Sequence, residues 1–154
     1  MNNFIISREY IWDVLKLNKF AVLATESGGQ PHASLIAITP FGNSLQLIFA
    51  TYRNTRKYRN LSKNNKVAIL IENGDVKMED PQESIVLTIF GHIEEITIAE
   101  NEAVYQAHLK RHPEMESFML SSDCAFILVI AQAYQIVYGI DDIRWITADE
   151  LDAI

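Results

Sequence analysis

From Phe20 to Thr51 the chain reads as three apolar segments cut by turn residues: FAVLATE, a Gly28-Gly29 turn, PHASLIAI, then Pro40-Phe41-Gly42-Asn43-Ser44 and LQLIFAT. Paired glycines accept the positive φ values of a tight turn, so the first two segments predict a β-hairpin. The third extends it, most simply as a meander. KVAILIE, the long SIVLTIFGHIEEI with Gly91 marking a bulge or bend, CAFILVIA and YQIVYGI continue the strand pattern. Six or seven strands joined mostly by short turns predict a mostly β (α+β) fold, an antiparallel barrel with peripheral helices, and disfavour a doubly wound parallel sheet. Side chains fill the interior of a small barrel, so a ligand is expected on its outside or at a subunit junction.

Helices punctuate this pattern. Ser7 caps REYIWDVLKLN, where Ile11, Val14, Leu15 and the ring of Trp12 give an apolar side. Tyr58 and Leu61 give a buried side to a helix between Asn54 and Asn64. Thr97 with Glu100 fits a capping box for ENEAVYQAHLKRH, which Pro113 closes, and Thr147 with Glu150 caps a last short helix. The 154 residues, without linker, repeat or composition break, predict one domain over 1–154. The apolar stretch from Cys124 to Ile140, interrupted by Gln132 and Gln135, is too short to span a bilayer, so no membrane partner is expected. MNNFIISREY lacks the features of a secretory signal, and the single Cys124 allows no internal disulfide; a cytoplasmic location is the expectation.

Charge is segregated. Residues 53–66 hold six bases, Arg53, Arg56, Lys57, Arg59, Lys63 and Lys66, and no acid, whereas the remainder carries seven bases against twenty acids. Nucleic-acid binding needs a broad positive face and is not expected; one compact basic segment suits a small anion. Phe49-Ala50-Thr51 ends a strand there, and Thr55-Arg56-Lys57 opens a helix, whose N-terminal amides and dipole add to a hydroxyl and two cations. Cations in a first helical turn are locally unfavourable, and such breaches occur where an anion completes a site. A solvated basic helix face is the alternative.

Other motifs carry less. His108 and His112 lie one turn apart without the acidic partner of a helical zinc motif and read as an exposed pair, so no metal site is expected. His32 stands at a strand start, as a ligand contact or a surface residue. His92, after Gly91, is read as structural. Cys124 opens an apolar strand and is read as a buried, inert thiol. Asp80, Asp141 and Asp142 form no acid–base pair, and neither a nucleophile elbow nor a phosphate-loop glycine motif occurs. Trp12 and Trp145 are core residues first, although Trp145 beside Arg144 could present an aromatic plane.

Taken together, FAVLATESGGQPHASLIAI, LQLIFATYRNTRKYRNL and NNKVAILI resemble the pyridoxamine 5'-phosphate oxidase-like FMN-binding split-barrel family, closely over residues 20–72 and loosely beyond. The resemblance implies an antiparallel split β-barrel of the FMN-binding type and a homodimer with FMN at the subunit interface. It implies a phosphate held by Thr55, Arg56 and Lys57, and a flavin ring along Ser34, Leu35, Ile36 and Ala37 and along Phe49, Ala50 and Thr51. Trp145, near Tyr138 and Gly139, is the expected wall from the second subunit. An oxidoreductase with an unidentified substrate follows. The oxidase's two basic residues on the second strand are replaced by His32 and Ala37, and its flavin-contacting Gln by Val86; its C-terminal substrate Arg and His have no counterpart in RWITADELDAI. Oxidation of pyridoxamine phosphate is therefore not expected. DPQESIVLTIFGHIEEI, HPEMESF and YGIDDIRWI are similar to the family's haem-utilisation branch, although a chain ending at Ile154 is expected to lack the axial-His extension of haem-degrading members. Haem binding is thus one alternative, and a non-catalytic flavin or deazaflavin module another.

Overall fold

The computed structural model describes residues 6–42, 45–72 and 85–154; the acidic loop after Glu72, with Asp80, lies outside them. Ser7 caps α1 (Arg8–Leu17), its hydroxyl accepting from Tyr10 N at 3.1 Å, and Ile11, Val14 and Leu15 turn inward. β1 (Phe20–Ser27) and β2 (Gln30–Ala37) form the hairpin foreseen, with Gly28 and Gly29 at φ 62° and 82°. β3 (Thr39–Phe41) occupies part of the segment read as a turn, and β4 (Gln46–Tyr52) follows. Then come α2 (Arg56–Lys63), β5 (Lys66–Glu72) and β6 (Ile85–Ile96). α3 (Glu102–Arg111), α4 (Glu116–Met119), β7 (Cys124–Tyr138), β8 (Asp142–Thr147) and α5 (Ala148–Asp152) complete the order.

The sheet runs β2-β1-β5-β6-β7-β4-β3, every pairing antiparallel, and β8 also pairs with β7. The expected meander does not form. β4 pairs with β3 and crosses to β7 instead of extending the first hairpin. β2 curls back toward β4, which gives the split barrel. The split has a definite place: β7 pairs with β6 along one edge, while its other edge takes β4 over 124–129 and β8 over 133–138. Between them the β6–β7 register shifts at Phe90/Gly91, where Gln132 is the extra residue on β7.

Alternation sets the core. Ala21, Leu23 and Thr25 on β1 and Val67, Ile69 and Ile71 on β5 point inward with Leu87 and Ile89 of β6. Each large aliphatic side chain buried this way is worth about 1.5–3 kcal/mol. β4 is buried on both faces: Leu47 and Phe49 join the barrel core, whereas Ala50 packs with Met119, Cys124 and Phe126 beneath the helical segment. The Thr97–Glu100 capping box is not made. Ile98–Glu100 forms a 3-10 turn without a side-chain cap, and α3 starts afterwards from Asn101. Thr147 does cap α5, accepting from Glu150 N at 3.1 Å. His108 and His112, read as exposed, are both fully buried, and Trp145, read first as core, is 54% exposed, whereas Trp12 packs half-buried against the core. Among the described residues no helix is long and apolar enough to cross a membrane.

Candidate functional site

The basic segment divides on folding. Arg53 is spent on structure: Nη1 donates to Ser122 O at 3.2 Å and Cys124 O at 3.1 Å, and Nη2 lies 3.9 Å from Glu95. Thr55 is the N-cap of α2. Its hydroxyl accepts from Tyr58 N at 3.2 Å and donates to Tyr52 O at 2.8 Å, so both functions of this oxygen are engaged. The side chains of Arg56 and Lys57 make no hydrogen bond or ion pair among the described residues. Arg56 is exposed and lines a cavity of about 320 Å³ with Ser27, Gln30, Pro31, His32 and Asn60. Lys57 is half-buried outside that lining, and burial holds its ammonium below the usual lysine range.

The cavity is fixed by ties between α2 and the first hairpin. Asn60, one turn beyond Arg56, donates from Nδ2 to Thr25 Oγ1 at 3.0 Å, both groups buried. Asn64 donates to Glu26 Oε2 at 2.9 Å, and Glu26 Oε1 accepts Gly29 N at 2.6 Å. These bonds hold the β1–β2 turn against the helix and set Arg56 opposite His32. His32 Nδ1 and Ser34 Oγ are buried atoms without a hydrogen-bond partner.

Beside the cavity lies an apolar face. Leu35, Val22, Leu70, Thr88, Gln135 and Trp145 stand in register across β2, β1, β5, β6, β7 and β8. Leu35, Val22, Leu70 and Trp145 are exposed at 66%, 37%, 43% and 54%, far more than large apolar side chains in a covered sheet. In the next row Phe90 packs its ring 5.1 Å from that of Trp145. At the usual strand spacing the row from Leu35 to Trp145 covers about 24 Å.

The other expected site residues fall in two groups. Ala37 and Leu35 share the outer side of β2, whereas Ile36 is buried in the barrel and Ser34 turns inward with it. Phe49, Ala50 and Thr51 are buried side chains, so this stretch offers main-chain contact only. Val86 is half-buried on the outer side of β6, opposite Val137. Burial pushes the Cys124 thiol up to about 11, which keeps it protonated and inert, as its apolar setting foretells. The polar residues that sequence reasoning did not place at the site are Asn60, Ser27 and Gln30. Asn60 left a signal, being an amide on the buried side of a short helix four residues after Arg56.

Residues 8–136 match the family model described as pyridoxamine 5'-phosphate oxidase. No curated protein matches the chain in sequence. Among solved structures, a heme binding protein from Mycobacterium smegmatis superposes with a TM-score of 0.85 at 20% identity, over 99% of this chain and 62% of that one. This chain therefore spans under two thirds of that protein. A protein related to general stress protein 26 from Clostridium acetobutylicum gives 0.72 at 16% identity, over 95% and 99%. A FAD-binding protein from Mesorhizobium loti gives 0.67 at 14% identity, over 85% and 94%. At these identities the structural likenesses establish the fold.

Proposed function

Because the chain belongs to the pyridoxamine 5'-phosphate oxidase family, we propose that it binds FMN and acts as an oxidoreductase on a substrate other than pyridoxamine phosphate. The observation that carries this reading is the juxtaposition of a small cationic cavity, lined by Arg56 and His32, with an exposed apolar face starting at Leu35. A flavin mononucleotide has the matching parts: a phosphate, a polar chain and a flat, largely apolar ring. The FAD-binding name of one structural neighbour agrees with the flavin part of the reading. When bound, the flavin supplies the electron-accepting and electron-donating chemistry. The chain's own residues have other tasks: Arg56 holds the phosphate, the strand around Leu35 orients the ring edge, and Leu35 with Val22 and Leu70 keeps water from it. Lys57 adds positive potential from the same helical turn.

The experiment is a paired titration. Charge-assisted hydrogen bonds to phosphate contribute about 1.5–3 kcal/mol, so Arg56→Ala weakens FMN by about tenfold to a hundredfold. Riboflavin, with the same ring and no phosphate, keeps its affinity within about twofold, since no lost bond involves it. Equal weakening of both ligands, or unchanged FMN affinity, would sink the phosphate assignment and return this segment to a solvated helix face.

We infer also that the working unit is a homodimer. Leu35 and Trp145 lie at opposite ends of one row on one chain, a span far longer than a flavin ring, so both can flank one ring only if Trp145 comes from the partner subunit. Covering this face also removes the exposed Leu35, Val22, Leu70 and Ile143 from water. Sedimentation at micromolar protein is expected to give a dimer, with an interface above about 1,000 Å². Trp145→Asp, which puts a charge into that interface, shifts the species toward monomer and weakens flavin binding together. A monomer that still binds FMN contradicts the shared site. The haem alternative finds less support, because His108 and His112 sit in the core with Nδ1 of one and Nε2 of the other engaged by Thr39 and the Ile38 carbonyl.

A further inference from the structure

Arg56, Asn60 and Asn64 recur at four-residue intervals and so follow one side of α2. The last two are tied to consecutive residues of β1, the strand on which the helix packs: Asn60 Nδ2 donates to Thr25 Oγ1 at 3.0 Å, and Asn64 Nδ2 to Glu26 Oε2 at 2.9 Å. The first of the three lines the cavity together with Asn60. The two ties are not alike. Asn64 caps the end of the helix, and its Oδ1 also accepts from Lys66 N at 3.1 Å, so it serves the exit of the chain. Asn60 and Thr25 are both buried, at places whose neighbours are apolar: Leu61 beside Asn60, and Ala21 and Leu23 before Thr25 along the inward side of β1. Two apolar side chains of the same shape would serve stability there about as well as a buried polar pair does. What the bond adds is direction. Apolar contact is non-directional, so a short helix resting on Leu61 and Tyr58 can roll on the sheet, whereas a hydrogen bond holds only near its proper distance and angle.

We propose that Asn60 is the positioning residue of the phosphate grip. Through its buried bond to Thr25 it sets the roll of α2 that keeps Arg56 at the cavity, and the discrimination between a phosphorylated and an unphosphorylated flavin depends on this bond as well as on the guanidinium. Arg56 lies one turn before Asn60, so a roll permitted at Asn60 is passed to Arg56 by the intervening turn of helix. A long side chain aimed in advance loses less freedom when it binds, and that saving is what the tie contributes. The inference rests on the FMN reading of the site and adds to it the element that orients its cation.

The test measures FMN affinity, riboflavin affinity and the unfolding midpoint without ligand. Thr25→Val removes the acceptor and Asn60→Leu the donor. Either is expected to weaken FMN by about threefold to tenfold, less than Arg56→Ala because the cation remains and only its aim is lost, while riboflavin stays within about twofold. The double variant separates aim from stability. With both partners apolar no buried group is left unmatched, so its midpoint returns toward that of wild type, yet its FMN affinity stays at the level of the single variants. Thr25→Ser keeps the hydroxyl and holds FMN within about twofold of wild type, so the contrast of Val with Ser at this position decides the matter should the double variant fold poorly. Unchanged FMN affinity in either single variant, FMN affinity that recovers with stability in the double variant, equal weakening of riboflavin, or Thr25→Ser as weak as Thr25→Val overturns this inference alone. Wild-type protein that binds no FMN, or Arg56→Ala with FMN affinity unchanged, overturns the reading of the site and this inference with it.

Discussion

Gly91→Ala is expected to destabilise the protein by about 3 kcal/mol or more, at or beyond the upper end of ordinary overpacking, because the added methyl has nowhere to go. A Cβ at residue 91 would fall 2.2 Å from the Ile130 carbonyl oxygen, 3.0 Å from its carbon and 3.2 Å from Ala131 Cα. All three are main-chain atoms, which cannot swing aside as a side chain would. They also belong to the spine of the fold, since β6 and β7 pair over their whole common length and the bulge at Phe90/Gly91 lies where β7 exchanges β4 for β8 on its other edge. Relief of the clash would have to separate the strands at the point where the barrel splits. Denaturant unfolding measures the effect, with Gly29→Ala as the comparison. Gly29 has φ 82° and open space around its missing Cβ, so its variant loses only about 1 kcal/mol from backbone strain. A Gly91→Ala midpoint as close to wild type as that of the turn variant would show that the spine can relax.

The contrast between these glycines shows what a sequence displays and what it conceals. Gly28-Gly29 between two alternating segments is a local signal, and the hairpin is there. Gly91 marks a bulge or bend, and a bulge is there, but its extra residue, Gln132, lies on the other strand 41 residues later and carries no mark. β4 escaped the meander reading for a related reason. LQLIFAT is apolar at nearly every position because it is buried on both faces, so no alternation tells which side meets which partner. Pro40-Phe41-Gly42-Asn43-Ser44 reads as a turn throughout, yet an edge strand tolerates proline, and β3 is the last strand of the sheet.

At the site, the segment was legible and the direction of each side chain was not. Thr55, Arg56 and Lys57 are consecutive, but a helix sends consecutive residues to different sides, and α2 is turned by the Asn60–Thr25 bond so that Arg56 alone of the three lines the cavity. Likewise β2 sends Leu35 outward and Ile36 inward, which no list of adjacent residues distinguishes. Trp145 reads as core by composition and is exposed because β8 is an outer strand with its side chain on the uncovered face. The histidines of α3 misled for the opposite reason. Val104, His108 and His112 follow one another at four-residue intervals along one side, so the imidazoles occupy the stripe that aliphatic residues normally fill.

That stripe carries the second large effect: stability is expected to fall by about 3 kcal/mol between pH 6.5 and pH 4 on account of His108 alone. His108 is fully buried, its Nδ1 lies 2.8 Å from Thr39 Oγ1, and its Nε2 has no partner. Burial first, then the neighbouring His112 and Arg111, lower its pKa to about 4 from the ordinary 6.5. The sign follows directly. Above pH 6.5 the imidazole is neutral in both folded and unfolded chains and adds no pH dependence. Between 6.5 and about 4 the unfolded chain takes the proton that the native state refuses, so stability is lost as pH falls, at about 1.4 kcal/mol per unit. The helix concerned is a clasp: Arg111 donates to the carbonyls of Leu15, Asn18 and Ile38, and His112 Nε2 to that of Ile38, joining α3 to the end of α1 and the β2–β3 junction. His108→Gln keeps a donor or acceptor for Thr39 and cannot titrate. Unfolding midpoints of wild type and variant are therefore expected to converge as pH falls from 6.5 toward 4, whatever the carboxylates common to both contribute. Parallel curves across that range would mean that His108 gains its proton in the folded protein without cost, and that the clasp does not depend on a neutral imidazole.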